Sequence, residues 1–321
     1  MNAGPGGVAI ESWQGASETE VAALCDAERS RWIEGLEWDP AVPLAAARAA
    51  RTSGIDSGLI ARDSRGRVRG WALFAAQRGD LRIGTLAGDD RAVEGLLDAL
   101  VERASQARCP RLSCFLYPPS HAVGRALAGR RFDLFRHHYL RRDLGPAGLA
   151  ASAAPWPPPG FTVVPAAAAG PGPLARLLAR AYAGTPMAAR FAPHAALEEW
   201  SEWLGQVFAG RACGELLPAA SLALQDDEGR TAAAILATRV HPGVAHVAQL
   251  VVDPSVRRQH VARGLMSAAH VAAARRGCSA VTLMVAEDNA PALALYRALG
   301  FEEAGHLLWG QASARSFSRG G

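Results

Sequence analysis

Hydrophobic and polar positions in the second half of the chain follow an order that predicts a mixed sheet with helices. Apolar, β-branched stretches bounded by turn residues predict strands, and apolar residues at a helical period predict helices. The predicted strands are 216–225, 231–240, 246–252, 281–285 and 301–309, and the predicted helices are 261–276 and 291–299. The pattern predicts an α/β domain in which helices flank a central mixed, α+β-type sheet.

The first half of the chain repeats this order. Its predicted strands are 58–63, 68–77, 81–86, 112–116 and 132–140, with helices at 92–107 and 121–128. Leu112 and Val281 are 169 positions apart, and so are Phe132 and Phe301. A fixed offset across two elements predicts a duplicated fold. An Ala/Pro/Gly-rich stretch separates the halves and predicts a linker, so the expected layout is a domain at 1–144, a linker at 145–160 and a domain at 161–321.

Composition excludes several classes of protein. The 321 residues carry a net charge of +4, and the chain has arginines but no lysine. These arginines are interleaved with Asp and Glu, which argues against a nucleic-acid partner. No apolar run is long enough for a membrane span, and the first residues lack a signal-peptide pattern. Five dispersed cysteines without metal-ligand spacing indicate reduced thiols, so we expect a cytoplasmic protein without a metal site.

One stretch of the second half carries a pattern typical of a phosphate site. A β-branched run ends at Pro254, a basic polar loop follows, and an apolar-periodic helix begins near Val261. A strand that stops where a helix starts leaves several backbone N–H groups in one small space. Those donors, together with the positive end of the helix, favour the binding of a phosphate group.

A second motif begins at Asn289. This residue is a good helix N-cap, and Gly300 is a good helix stop before Phe301. Tyr296 lies seven positions after Asn289, so both residues lie near one face of the helix, two turns apart.

Together these motifs resemble the acetyl-CoA loop and the following helix of the GNAT superfamily of N-acetyltransferases. The loop signature Gln/Arg-x-x-Gly-x-Gly/Ala maps onto 257–262, with His260 where the family usually has glycine. Histidine tolerates a left-handed backbone better than most residues, and its ring can donate to a phosphate. The resemblance implies that acetyl-CoA contacts Leu250, Val251, Val252, Arg257, Arg258, Gln259, His260, Val261, Ala262, Arg263, Gly264, Asn289 and Tyr296.

The resemblance also implies catalytic roles. The N–H of Leu250 is expected nearest the acetyl oxygen, as an oxyanion-stabilising donor. The hydroxyl of Tyr296 is expected to protonate the leaving thiolate. His246, which alternates with Leu250 along the strand, is the candidate base, and Glu287 and Asp288 compete with it for that role. Transfer is expected to be direct, without a covalent enzyme intermediate.

The first half departs from the family where its chemistry would lie. Its loop at 87–91 holds two carboxylates, which would repel a pyrophosphate, and Leu127 stands at the offset matching Tyr296. We therefore expect a degenerate, non-catalytic GNAT-like domain in a tandem layout similar to that of mycothiol synthase. The acceptor is expected at 173–210, with the loop 185–193 as its pocket and Trp200 and Trp203 in the core.

The sequence thus predicts an acyltransferase that moves an acetyl group from acetyl-CoA to a primary amine of a small molecule or peptide. The alternatives are a non-catalytic CoA-binding scaffold and an acyltransferase for a longer acyl group. The sequence does not distinguish a monomer from a homodimer, and it does not identify the acceptor.

Overall fold

The computed structural model describes residues 7–77, 79–145, 156–194 and 196–313. Strands β1–β13 are, in order, Ala9–Ser12, Gly58–Arg62, Val68–Gln77, Asp80–Gly88, Arg111–Leu116, Asp133–Asp143, Phe161–Pro165, Glu215–Leu216, Leu222–Asp226, Thr231–His241, Val244–Val252, Ala280–Ala286 and Glu302–Ser313. Helices α1–α10 are Glu18–Leu36, Ala41–Thr52, Asp90–Gln106, His121–Gly129, Ala166–Ala169, Pro171–Tyr182, Pro186–Phe191, Leu197–Phe208, Val261–Arg275 and Ala290–Ala298.

The predicted α/β fold, with helices on a mixed sheet, is confirmed. The strands form one sheet in the order β1-β2-β3-β4-β5-β13-β6-β12-β11-β10-β9-β7, and β8 pairs with β10. One predicted strand, 216–225, is wrong in extent, because its middle forms a 3-10 turn at Pro218–Ala220. Proline lacks the N–H that a strand interior needs, so the chain turns there before β9 begins.

The two halves exchange their last strands. Strand β13, from the second half, lies between β5 and β6, whereas β6, from the first half, pairs with β12. Each half therefore completes the sheet of the other, and the described parts of the two halves, 7–145 and 156–313, share one sheet. The predicted linker lies mostly outside the described residues, which include only Gly145 and 156–160 of it.

The exchange follows a pseudo-two-fold axis through the centre of the sheet. Arg136 pairs with Leu308 and His138 pairs with His306, and each of these pairs maps onto the other when 170 is added to the first-half number. The axis therefore passes through the intervening pair, His137 and Leu307. The offset is one larger than the 169 read from the sequence because β13 has a register shift between residues 303 and 305.

Helices cover the sheet on both faces. Helices α3, α4, α9 and α10 pack on one face, which we call the α9 face. Helices α1, α2, α6 and α8 pack on the other, which we call the α6 face. Within the described ranges, no helix is both long enough and apolar enough to cross a membrane.

Candidate active site

The central strands of the second half separate at the level of the predicted site. Strands β11 and β12 pair in parallel only from Val244 to Val247, opposite 280–283. Beyond that point β11 continues along β10 to Val252, so a split opens between β11 and β12. Strands β4 and β5 pair over only three residues, 81–83 with 112–114, and separate in the same way.

A β-bulge lies at the opening of each split. In β11 the pairing with β10 skips Ala248, and in β4 the pairing with β3 skips Gly84. The residues that flank the skipped position, Val247 with Gln249 and Ile83 with Thr85, are 164 positions apart in both cases. An extra residue reverses the alternation of side chains beyond it, so both bulges redirect the strand at equivalent places.

Backbone donors of β11 face the split. The N–H of Asp253 donates to the carbonyl of Ala232 on β10 at 2.8 Å. Because N–H groups alternate in direction along a strand, those of Leu250 and Val252 point away from β10 and toward the split. This placement agrees with the oxyanion role predicted for the Leu250 N–H.

The loop after β11 presents further amides. Its helix, α9, makes its first backbone hydrogen bond from the N–H of Gly264 to the carbonyl of His260, at 3.0 Å. The N–H groups of Val261, Ala262 and Arg263 precede that bond and lie at the positive end of a 15-residue helix. Donors of this kind favour phosphate groups, and the pyrophosphate contact expected of them stays a prediction.

His260 adopts a left-handed backbone conformation, which glycine takes without steric cost. Its φ is +58°, in the left-handed region, and Arg258 has a φ of +65°. Such a conformation costs about 1–2 kcal/mol for a residue with a Cβ atom. The loop therefore keeps the shape that the motif requires at the cost of backbone strain.

The side chain of Arg257 binds the protein itself. Its Nη2 donates to the carbonyl of Ala181 at 3.0 Å, at the end of α6. Beside it, Asp253 accepts from the N–H of Ser255 at 3.1 Å and from Arg180 Nε at 2.9 Å. Burial acts to raise the pKa of Asp253, but these hydrogen bonds and the charge of Arg180 hold it below its ordinary value. The loop after β11 is therefore fastened to α6 at two points.

Gly264 leaves room for the Trp156 ring. A Cβ atom at this position would lie 2.0 Å from the indole of Trp156, so only glycine lets that ring pack on the first turn of α9. The predicted contact of Gly264 with a cofactor stays a prediction.

Tyr296 lies on α10, whose N-cap is Asn289, with Oδ1 accepting from the N–H of Ala292 at 3.3 Å. The tyrosine is 8% exposed and packs against Phe301. Burial and the neighbouring Tyr182 raise its pKa, so its hydroxyl is protonated throughout the neutral range. The motif thus places a neutral phenol on the α9 face.

His246 does not share a face with Leu250, contrary to the sequence interpretation. The bulge at Ala248 turns His246 onto the α6 face, together with Gln249. There the imidazole is 1% exposed, lies 4.6 Å from the Trp38 ring, and has Nδ1 3.0 Å from Thr282 Oγ1. Burial lowers its pKa to about 3. This placement does not support a base role.

The other two base candidates, Glu287 and Asp288, lie beyond the end of β12. Both are exposed, and with Leu134, Phe135 and Arg136 they line a groove of about 210 Å³. Their role remains a prediction.

Sequence reasoning missed the pair formed by Tyr182 and Gln249. Gln249 Nε2 donates to Tyr182 Oη, and the Tyr182 ring stacks on Trp200 with centroids 5.5 Å apart. The bulge directs Gln249 toward α6, on the same face as His246. Regular alternation along the strand would place Gln249 on the face opposite His246. Trp200 is buried, as predicted, whereas 186–191 form the short helix α7 in place of the predicted loop.

In the first half, a side chain of the protein itself occupies the helix terminus that corresponds to the start of α9. Asp89 caps α3 by accepting from the N–H of Ala92 at 3.0 Å, and it pairs with Arg69 at 2.7 Å. Leu127 is fully buried in the core. A carboxylate thus occupies the helix end that would otherwise attract phosphate.

The fold and site define a class of protein: a duplicated α/β chain in which a split pair of parallel strands meets an amide-rich helix terminus. Residues 184–301 match the sequence model of the acetyltransferase (GNAT) family, so the second half carries a domain of that family, and the resemblance of its motifs is confirmed. Comparison with the sequences of curated proteins gives no match.

Solved structures share the fold of the whole chain. A GCN5-related N-acetyltransferase from Sphaerobacter thermophilus has a TM-score of 0.63 at 17% identity, over 96% of each chain. A tandem GNAT protein from the clavulanic acid biosynthesis pathway has a TM-score of 0.63 at 18% identity, over 96% of this chain and 98% of that one. A glucosamine N-acetyltransferase region of a fungal multi-domain β-N-acetylglucosaminidase has a TM-score of 0.60 at 14% identity, over 96% of this chain and 38% of that one. The tandem GNAT fold is therefore shown.

Proposed function

We propose that the protein transfers an acetyl group from acetyl-CoA to a primary amine of a small molecule or peptide, by direct attack of the amine. The observation that carries the proposal is the combination of three features in the second half: the split between β11 and β12, the amides that begin α9, and the protonated hydroxyl of Tyr296.

The donor set of the loop fits the phosphates of CoA. The N–H groups of Val261, Ala262 and Arg263 would hold the pyrophosphate, assisted by the positive end of α9. The N–H groups of Leu250 and Val252 would hold the amides and the acyl carbonyl in the split. When bound, acetyl-CoA supplies the acyl group as a thioester.

Two residues then assist the chemical step. The N–H of Leu250 stabilises negative charge on the attacked carbonyl oxygen, because a fixed donor strengthens as that charge develops. Tyr296 gives its phenolic proton to the departing sulfur and recovers one from the amine nitrogen through solvent, so no net proton is consumed. The new C–N bond forms as the C–S bond breaks.

The proton of an ammonium acceptor must leave before attack. His246 is enclosed and titrates far too low for this task, so we assign no base on the α6 face. An ordinary amine has a pKa near 10 and is mostly protonated even at mildly alkaline pH. We propose that desolvation in the site lowers this pKa, so that the proton passes to solvent as the amine enters.

The first half contributes to this function through structure. It supplies β6 to the sheet beside β12, and its own helix terminus is capped by Asp89. We propose that it binds no cofactor and forms a wall of the acceptor cleft.

The proposal is tested by incubating the full chain with acetyl-CoA and a panel of primary amines, with mass spectrometry of the products and colorimetric detection of released CoA thiol. Acetylated amine with one thiol per product supports it. Tight CoA binding without acetylated product would favour a non-catalytic scaffold. Parallel reactions with propionyl-CoA and succinyl-CoA identify an acyltransferase for longer groups, if either donor gives a higher kcat/KM than acetyl-CoA.

A further inference from the structure

Asp253 and Asp89 occupy the same position in the two repeats. They are 164 positions apart, which is the offset that also relates the two β-bulges. Each donates its N–H to the neighbouring strand, Asp253 to the carbonyl of Ala232 at 2.8 Å and Asp89 to that of Arg69 at 3.2 Å. In each half, a carboxylate therefore directly follows the strand that bears the bulge.

The two carboxylates cap different elements. Asp89 caps α3 itself, because α3 begins at the next residue. After Asp253, the 3-10 turn Pro254–Val256 intervenes, and α9 begins only at Val261. Asp253 caps that turn, since its Oδ1 accepts from the N–H of Ser255 at 3.1 Å and from its hydroxyl at 2.8 Å. The longer loop of the second half thus separates the carboxylate from the amides that begin the helix.

The carboxylate of Asp253 also joins the loop after β11 to α6. Its Oδ2 accepts from Arg180 Nε at 2.9 Å, and Arg180 Nη2 donates to the carbonyl of Thr231 at 3.2 Å. The Asp253 side chain is only 8% exposed. Arg257 makes the reciprocal contact, from the loop to the carbonyl of Ala181 at 3.0 Å. The residues on either side of the 3-10 turn are therefore held against the last turn of α6.

This loop needs a restraint because it contains two strained residues. Arg258 has a φ of +65° and His260 one of +58°, both in the left-handed region that residues with a Cβ atom avoid. Such conformations persist only where surrounding contacts hold them. The contacts of Asp253 and Arg257 with α6 supply that restraint.

The arginines around Asp253 also offset its charge. A carboxylate in this loop would oppose a pyrophosphate if it were left unpaired. Arg180 and Arg230 both face its Oδ2, at 2.9 Å and 3.8 Å, and Arg230 also donates to the hydroxyl of Ser255 at 3.3 Å. The loop is therefore fixed by a carboxylate whose negative charge is matched.

We propose that Asp253 is a positioning residue for the cofactor: through Ser255 and Arg180 it sets the shape of the loop, so that the amides at 261–263 converge on one pyrophosphate. This inference rests on the proposed function and adds a residue to its cofactor site. In this role Asp253 touches neither the acyl group nor the amine. It should therefore govern the affinity for acetyl-CoA and leave the chemical step unchanged.

The test is calorimetric titration of acetyl-CoA into the full chain and into its Asp253→Ala variant. We expect the Kd to rise about tenfold, as for loss of one cap or one hydrogen bond to a charged group. With an amine that the acetylation panel identifies, KM for acetyl-CoA should rise by a similar factor. The kcat at saturating acetyl-CoA should stay within about twofold, because the lost interaction is uniform binding.

Asp89→Ala is the matched control. It removes a helix cap and an ion pair with Arg69 at 2.7 Å from the equivalent position of the first half, so it should cost comparable stability and leave the Kd of acetyl-CoA unchanged.

Arg180→Gln tests the same ion pair from a position that is 41% exposed, and it keeps the proposal testable if Asp253→Ala does not fold. It should also raise the Kd. The double variant should raise the Kd by less than the product of the two single effects, because both substitutions break one contact.

An unchanged or lower Kd in Asp253→Ala or in Arg180→Gln would overturn the inference, and so would an equal rise in Asp89→Ala. Absence of acetyl-CoA binding by the unmodified chain would overturn it as well. Failure of the proposed function has a different signature, since no amine in the acetylation panel would then yield product, whatever the Kd values.

Discussion

Tyr296 has the environment of a proton donor. Burial and Tyr182 raise its pKa, so the phenol is neutral at every pH at which the protein would work. Its counterpart at the sequence offset, Leu127, is fully buried in the core of the first half. The equivalent helix of the first half therefore carries no hydroxyl at this position.

Replacement of that hydroxyl should affect chemistry and spare binding. Tyr296→Phe should lower kcat by about 10²–10⁴-fold, the usual contribution of a general acid, and leave the Kd of acetyl-CoA nearly unchanged. Steady-state kinetics on an amine from the acetylation panel, with calorimetry for the Kd, measure both values. An unchanged kcat, in conditions where chemistry limits the rate, would exclude the acid role.

His246 should control stability at low pH and leave turnover unaffected. Its pKa is about 3 in the folded chain, from burial, against an ordinary value of 6.5. As the pH falls below 6.5, the unfolded state takes up the proton first, so the free energy of unfolding should fall by up to about 1.4 kcal/mol per pH unit.

His246→Gln should flatten that dependence between pH 6.5 and 5, as measured by chemical denaturation. Some slope should remain, because burial and Arg142 lower the pKa of His270 to about 4. The same variant should keep kcat within a few-fold of the unmodified enzyme. A loss of 10²-fold or more would restore His246 as the base.

His260 stores strain that glycine would release. Its φ of +58° costs about 1–2 kcal/mol, whereas glycine would lose about 0.4–1 kcal/mol through the greater freedom of the unfolded chain. His260→Gly should therefore raise the free energy of unfolding by about 0.5–1 kcal/mol and bind acetyl-CoA at least as tightly. Weaker binding by the glycine variant at neutral pH would show that the imidazole contributes a contact to phosphate.

At the scale of elements, hydrophobic periodicity predicts most strands of the sheet and the four helices of the α9 face, because each buries one regular face; it does not predict β1, β7 or the helices of the α6 face. β3, for example, is predicted at its observed bounds, 68–77. The bulge at Ala248 was not predictable, because nothing in the residue types of the strand marks the position that pairing skips. The bulge nevertheless places His246 and Leu250 on opposite faces. For the same reason the Tyr182–Gln249 pair was not predicted. The loop and Tyr296 were predicted as site residues because each belongs to a motif that is local in sequence.

The exchange of β6 and β13 could not be predicted from the sequence either. The residue pattern of neither strand selects its neighbours, because pairing is decided by contacts between residues far apart along the chain. The offset of 169 reveals the repeat, and it does not reveal that each repeat borrows a strand from the other.

At the scale of the whole molecule, that exchange should make the halves interdependent. Residues 1–145 and 156–321 produced separately would each lack the partner of a central strand and present an open sheet edge. Co-expression of the two pieces should give a stable one-to-one complex, and each piece alone should aggregate, as followed by size-exclusion chromatography. Monomeric, cooperatively unfolding halves would contradict the exchange.

The central claim is that one acyl-CoA site exists in the chain, at the amides that begin α9. Ala262 is half-buried there, and a carboxylate placed on it would oppose the pyrophosphate. Arg91, in the first turn of α3, offers the matched position in the first half.

Calorimetric titration of acetyl-CoA into the full chain tests this claim most directly. We predict one molecule bound per chain, loss of binding in Ala262→Glu, and unchanged binding in Arg91→Glu. Two molecules per chain, or binding that survives Ala262→Glu and is lost in Arg91→Glu, would contradict it.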